Sequence, residues 1–165
     1  MRATLRKVAA LLVTVIALLS LSACGTTVYS KPGISFEIPS RFEPRAIAGA
    51  AFAYGDDESF IVFTKRTKSE LAMNGLSELD VPGFTEYFLE TSEMKDSVEV
   101  NYGVGSAEFS YIVGDPENEE VYYYYYTVIM RGTDCIWIAQ MACYEPLASE
   151  YIPEFSKWAA SITVE

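Results

Sequence analysis

From Ser97 to Ala142 four strand-like runs follow one another, and the first two alternate between apolar and polar residues with a period of two. A period of two is the signature of half-buried strands and is incompatible with a helical stripe. In Ser97–Val104, Val98, Val100, Tyr102 and Val104 fall on one side. Ala107–Val113 repeats the pattern with Phe109 and Tyr111 together. Val121–Met130 is long and contains five consecutive tyrosines, Tyr122 to Tyr126. Cys135–Ala142 follows a tight Arg131-Gly132-Thr133-Asp134 turn. Gly114-Asp115-Pro116-Glu117-Asn118 has ordinary turn chemistry. Together these runs predict an antiparallel meander.

The first half is less regular. Ile34, Phe36 and Ile38 alternate with Ser35 and Glu37, an opening strand closed by Pro39. Residues 46–54 and 59–66 predict a hairpin around Gly55-Asp56-Asp57-Glu58, and Phe60-Ile61-Val62-Phe63 is apolar on both faces, as an interior strand must be. Asp80 can cap a helix that begins near Pro82 and ends near Met94. Leu147, Tyr151, Phe155, Trp158, Ala159 and Ile162 recur at intervals of three and four, an apolar helical stripe. Pro153 inside that stripe implies that the helix bends there or becomes regular only from the proline. Two helices and a sheet with two-faced strands imply an α/β (α+β) sandwich, mainly antiparallel, with a helix on each face.

Not all of the chain is expected to join that fold. Arg2, Arg6 and Lys7 precede an uncharged apolar run, Val8–Leu19, which leads into Leu21-Ser22-Ala23-Cys24. A basic start, a short apolar stretch and small residues before a cut describe a secretory signal peptide. The Leu-Ser-Ala-Cys ending is similar to a bacterial lipobox, in which the Cys24 thiol takes the diacylglyceryl group. A transmembrane span needs about 20 apolar residues. Val8–Ala23 offers sixteen, interrupted by Thr14, Ser20 and Ser22. The expected organisation is a signal peptide over 1–23, a lipidated Cys24 with a short polar tether to Gly33, and a single domain over 34–165. The expected location is the extracytoplasmic face of the cell membrane. Losing the leader takes the chain from 165 to 142 residues and its net charge from −11 to −14.

That charge and the absence of histidine narrow the chemistry. Twelve Lys and Arg against 23 Asp and Glu supply no basic stripe for phosphates, so no nucleic-acid partner is expected. With no histidine, Ser-His-Asp and Cys-His nucleophiles and imidazole metal sites are excluded. No catalytic residue, metal ligand or cofactor is assigned.

Gly33-Ile34-Ser35-Phe36-Glu37-Ile38-Pro39 resembles the opening strand of the Mog1/PsbP-like proteins, and Phe155-Ser156-Lys157-Trp158-Ala159-Ala160-Ser161-Ile162 resembles their closing helix. The likeness spans about residues 33–165, and the superfamily includes many small bacterial lipoproteins. It implies a sheet sandwiched by helices and a binding or assembly role, with no shared catalytic set to carry over.

The remaining candidates are residues whose chemistry needs a tertiary neighbour. Cys135 and Cys143 share one strand, eight residues or about 26 Å apart. A disulfide needs Cα atoms about 4.4–6.8 Å apart, so two buried thiols are expected unless the strand breaks. Tyr123 and Tyr125 face opposite to Tyr122, Tyr124 and Tyr126. Tyr123 and Tyr125 are the candidate ligand surface, an aromatic platform for a protein or envelope polymer; the competing account packs each set beneath a helix. Asp56-Asp57-Glu58 and Asp115 through Glu120 read as solvated tips. A carboxylate-dependent hydrolase of envelope polysaccharide and a low-affinity divalent-cation binder are the alternative functions.

Overall fold

The computed structural model describes residues 25–116 and 118–165. The expected signal peptide and the expected lipidated Cys24 lie outside the described residues, as does Glu117 of the acidic loop.

The described elements are β1 (Thr26–Lys31), β2 (Ile34–Pro39), β3 (Glu43–Arg45), β4 (Phe52–Gly55), β5 (Ser59–Thr67), α1 (Lys68–Met73), α2 (Val81–Thr91), β6 (Asn101–Tyr102), β7 (Ser106–Gly114), β8 (Tyr122–Arg131), β9 (Cys135–Tyr144), α3 (Ala148–Ser161) and β10 (Thr163–Val164). They build a large sheet in the order β3-β4-β5-β9-β8-β7-β6 and a small one in the order β1-β2-β10, and every pairing is antiparallel. The predicted meander is the run β6 to β9, and β5 pairs along the whole of its length with β9.

Alternation along the strands feeds two cores. Cys135, Trp137, Ala139, Met141 and Cys143 of β9 turn one way, to meet Phe36 and Ile38 of β2 and Phe155 and Trp158 of α3. Ile136 and Ile138 turn the other way, to meet Leu71 of α1 and Val81, Phe84 and Leu89 of α2. Helices therefore lie on both faces of the large sheet, and the small sheet shares one face with α3.

Two of the helices start at side-chain caps. Asp80 caps α2, its carboxylate accepting from the Gly83 amide at 2.9 Å. Thr67 and Glu70 form a capping box ahead of α1, a helix the apolar pattern did not predict. The signal was present as Thr67-Lys68-Ser69-Glu70, but six residues are too few to show a stripe. α3 is helical from Ala148, ahead of Pro153, which forgoes only its own bond to the Ser149 carbonyl.

Two segments differ from expectation. Gly25–Gly33, expected as a polar tether, is largely β1, which pairs with β2 from Thr26↔Pro39 to Lys31↔Ile34. Hydropathy hid this strand because its inward residues are Thr27 and Tyr29, while Val28 points to solvent, 68% exposed. Tyr29 stacks on Phe36 with ring centroids 5.6 Å apart. The second difference is Ser97–Val104, where ladder pairing is confined to Asn101 and Tyr102. Val98 and Val100 still pack on the second core, so burial accounts for their alternation without a ladder.

The β4–β5 turn is tied to its surroundings. The Asp56 carboxylate accepts from Arg41 Nε at 2.6 Å and from the amides of Glu58 and Ser59. Burial pushes its pKa up, but these bonds outweigh that and hold it below the ordinary value. Gly55, at the head of the turn, faces Phe60 across the hairpin. A Cβ there would lie 2.7 Å from both Phe60 Cβ and the Ser59 carbonyl oxygen. Because backbone cannot yield as a side-chain tip can, Gly55→Ala is expected to cost about 1–3 kcal/mol. A lower denaturant midpoint at constant slope would report it.

Candidate ligand-binding face

The tyrosine strand β8 projects Tyr124 and Tyr126 toward α3, and Tyr123 and Tyr125 toward the face that carries α1 and α2. The first set is anchored. The Tyr124 ring is nearly parallel to Phe155 of α3, with centroids 6.4 Å apart. Tyr126 donates from its hydroxyl to Glu108 at 2.5 Å. Burial, then that carboxylate, push the Tyr126 pKa up to about 12, so it stays a neutral donor.

The second set is different, because α1 and α2 do not reach it. An eleven-residue helix is about 16 Å long at 1.5 Å per residue, whereas ten-residue strands run about 34 Å. α2 therefore covers the half of the face around Ala107, Ile129 and Ile138 and leaves the tyrosine half open. Strand register sets two rows of side chains across that open half. One runs Phe60, Ala142, Tyr125, Tyr111 and the next runs Val62, Gln140, Thr127, Phe109. The small Ala142 side chain between Phe60 and Tyr125 leaves a trough between two rings. The result is a groove of about 530 Å³, floored by Phe60, Val62, Tyr111, Tyr125 and Gln140 and bordered by residues 47–50.

Tyr125 and Tyr111 lie parallel, ring centroids 5.2 Å apart and planes 6° apart, and Phe60 meets Tyr125 edge-on at 6.3 Å. Gln140 Nε2 donates to the Tyr111 hydroxyl at 2.8 Å, fixing its direction. Beside it lies the fully buried Thr127 side chain. Burial raises the pKa of both tyrosines, and for Tyr125 the neighbouring Tyr111 and Asp115 add to it. The groove thus offers flat apolar area with neutral hydroxyls and one amide, and the Arg66 side chain is among the residues that line it.

The structure separates the two residues predicted as a platform. Tyr125 lines the groove, whereas Tyr123 lies beyond its end, stacked on Tyr144 with centroids 5.2 Å apart. Burial, then Tyr144, push the Tyr123 pKa up to about 12. The partners that complete the platform, Phe60, Tyr111 and Gln140, come from three other strands. Sequence reasoning missed them because no spacing along one strand reports a register with another.

Other candidates resolve simply. Cys135 and Cys143 are buried free thiols at opposite ends of an unbroken β9, and burial pushes the Cys143 pKa up to about 11. Among the described residues no cluster of three or more acidic or cysteine side chains is placed to hold a metal ion. The Asp56 carboxylate holds its own turn, Asp57 pairs with Arg45 at 3.6 Å, and Asp115 accepts from the Asn118 amide. No carboxylate lines the aromatic groove.

Comparison with known proteins places the fold. No family model matches the chain, and no curated protein matches it by sequence. Among solved structures it is similar to the cyanobacterial PsbP protein CyanoP of Synechocystis, with a TM-score of 0.57 and 11% identity over 86% of this chain and 94% of that one. It is also similar to the Ran-binding protein Mog1p of Saccharomyces cerevisiae, with a TM-score of 0.51 and 10% identity over 86% of this chain and 96% of that one. A protein of Bacteroides thetaiotaomicron gives a TM-score of 0.52 and 10% identity over 87% of this chain and 49% of that one. The architecture is the Mog1/PsbP-like α+β fold that the two terminal motifs implied.

Proposed function

We propose that this protein is a lipid-anchored extracytoplasmic binding or assembly module. Its ligand, a protein or an envelope polymer, is recognised on the half-open sheet face built around Tyr111 and Tyr125. The observation that carries this reading is the uncovered aromatic trough: a sheet face with a core beneath one half and half-buried rings lining a groove on the other. Large apolar area left uncovered on one face is where partners dock. The fold is shared with a protein described as Ran-binding, which supports a binding role of some kind here.

The anchor supports the same reading. With β1 beginning at Thr26, only Gly25 separates the expected lipidated Cys24 from the sheet. The domain is then held within a few ångströms of the lipid surface. Its net charge of −14 without the leader opposes adsorption onto anionic head groups. Such a body is positioned at the membrane but presents its faces to the envelope. The absence of a carboxylate in the trough argues against the hydrolase, and the prior engagement of the acidic tips argues against the cation binder.

The test is crosslinking of the anchored protein in its own cells, with the Tyr111→Ala, Tyr125→Ala double variant in parallel. A partner whose yield falls at least tenfold in a variant that still folds supports the reading. An unchanged set of partners removes the trough as the ligand surface.

A further inference from the structure

The large sheet has two outer edges, and they are built differently. At one edge β3 is three residues long and reads Glu43-Pro44-Arg45, with two charges and a proline. Short charged edges with proline resist pairing with a foreign strand. At the other edge β6 covers β7 only at Ala107 and Glu108. Beyond Glu108, β7 has no outer neighbour among the described strands, and Phe109-Ser110-Tyr111-Ile112-Val113-Gly114 contains no charge and no proline. Ile112 is 56% exposed and Val113 42%.

The direction of the backbone groups on this edge follows from the hydrogen bonds that flank it. The Gly103 amide donates to the Ser106 carbonyl at 2.9 Å, so even-numbered residues of β7 point outward. The Arg131 amide donates to the Gly105 carbonyl at 3.1 Å and the Asp115 amide to the Val121 carbonyl at 2.8 Å, so odd-numbered residues point to β8. The same alternation puts the N–H and C=O of Ser110, Ile112 and Gly114 on the open side.

We infer that this edge is a strand-addition site, which takes an extended segment of another protein with basic residues flanking an uncharged, apolar-alternating centre. The mode is main-chain pairing with alternate side chains read on the two sheet faces. Tyr111 and Val113 lie on the trough side of β7, so an added strand would extend the floor of the trough. Charge selects the occupant. The uncharged stretch is bounded by Glu108 and Asp115, with Glu119 and Glu120 close behind in sequence. A second copy pairing antiparallel about Ile112 would bring the Glu108 of each chain beside the Asp115 of the other, and two bodies of the same large negative charge would have to meet. A segment with Lys or Arg at its ends meets complementary charge instead.

The inference rests on the binding-module reading for its class of partner, and two sets of variants keep their failures apart. The full chain would be immobilised and panned against a displayed library of random dodecapeptides. Enrichment of peptides with basic ends and alternating apolar centres is expected, and the strongest would then serve as a labelled probe. Ile112→Pro removes an amide that points away from β8, so β7–β8 pairing survives while probe binding should weaken at least tenfold. N-methylation of the probe at alternate residues should abolish binding in one of its two phases, a test that leaves the protein untouched should the proline variant not fold. Failure to enrich such peptides, or binding indifferent to both Ile112→Pro and N-methylation, overturns the inference. Binding lost in Tyr125→Ala but kept in Ile112→Pro moves recognition into the trough and leaves only the earlier reading standing. Dimerisation of the chain that Ile112→Pro relieves makes a second copy the occupant and also overturns it.

Discussion

Cys24→Ala is expected to transfer the protein from the membrane to the soluble extracytoplasmic fraction, close to completely. Each buried methylene contributes about 0.8 kcal/mol, so one acyl chain holds a protein only marginally and two hold it stably. Among the described residues no helix is long and apolar enough to cross a membrane, and the charge opposes surface adsorption. The effect is therefore all or nothing, read by fractionation and immunoblotting of cells that carry either form. Continued membrane retention of the variant would refute the lipid anchor. With Gly25 as the only residue between Cys24 and β1, lengthening the connection by a flexible insert should leave anchoring intact and change only the domain's height above the lipid.

Phe155→Ala is expected to cost about 3–5 kcal/mol, the range for truncating a buried aromatic. Phe155 is 0% exposed, and its ring lies 5.1 Å from Trp158, 5.5 Å from Tyr151 and 6.4 Å from Tyr124 by centroid. It joins α3 to the large sheet, and its removal leaves a cavity that three rings on two elements cannot close together. Against a total stability of about 5–15 kcal/mol, such a loss leaves much of the protein unfolded at moderate denaturant. Equilibrium denaturation followed by tryptophan fluorescence measures it. A cost below about 1 kcal/mol would mean that α3 is not packed on the sheet as described. Tyr125→Ala, by contrast, removes a ring on an open face and should cost far less.

The strands of the second half were legible because their signal is local. β7 carries the period-two pattern, β8 the run of tyrosines and β9 an apolar run behind a turn signal, and their observed bounds lie within about two residues of those expected. The Asp80 cap was legible for the same reason: it and its helix are adjacent in sequence. β1 was not, since its burial depends on Tyr29 meeting Phe36 rather than on its own hydropathy. The ladder expected over Ser97–Val104 shrank to two residues because alternation reports burial and does not report a hydrogen-bonded neighbour.

The candidate site divides along the same line. Sequence alone determined that Tyr123 and Tyr125 face away from Tyr124 and Tyr126, because successive side chains of a strand must point to opposite faces. It determined the missing imidazole chemistry and the acidic surface by composition. Only the tertiary structure decided which tyrosine face stays open. That depends on the length of α2 against the length of the strands, on the register that aligns Phe60, Ala142, Tyr125 and Tyr111, and on where β6 stops along β7. These are relations between distant segments, and a periodicity within one segment carries no information about them.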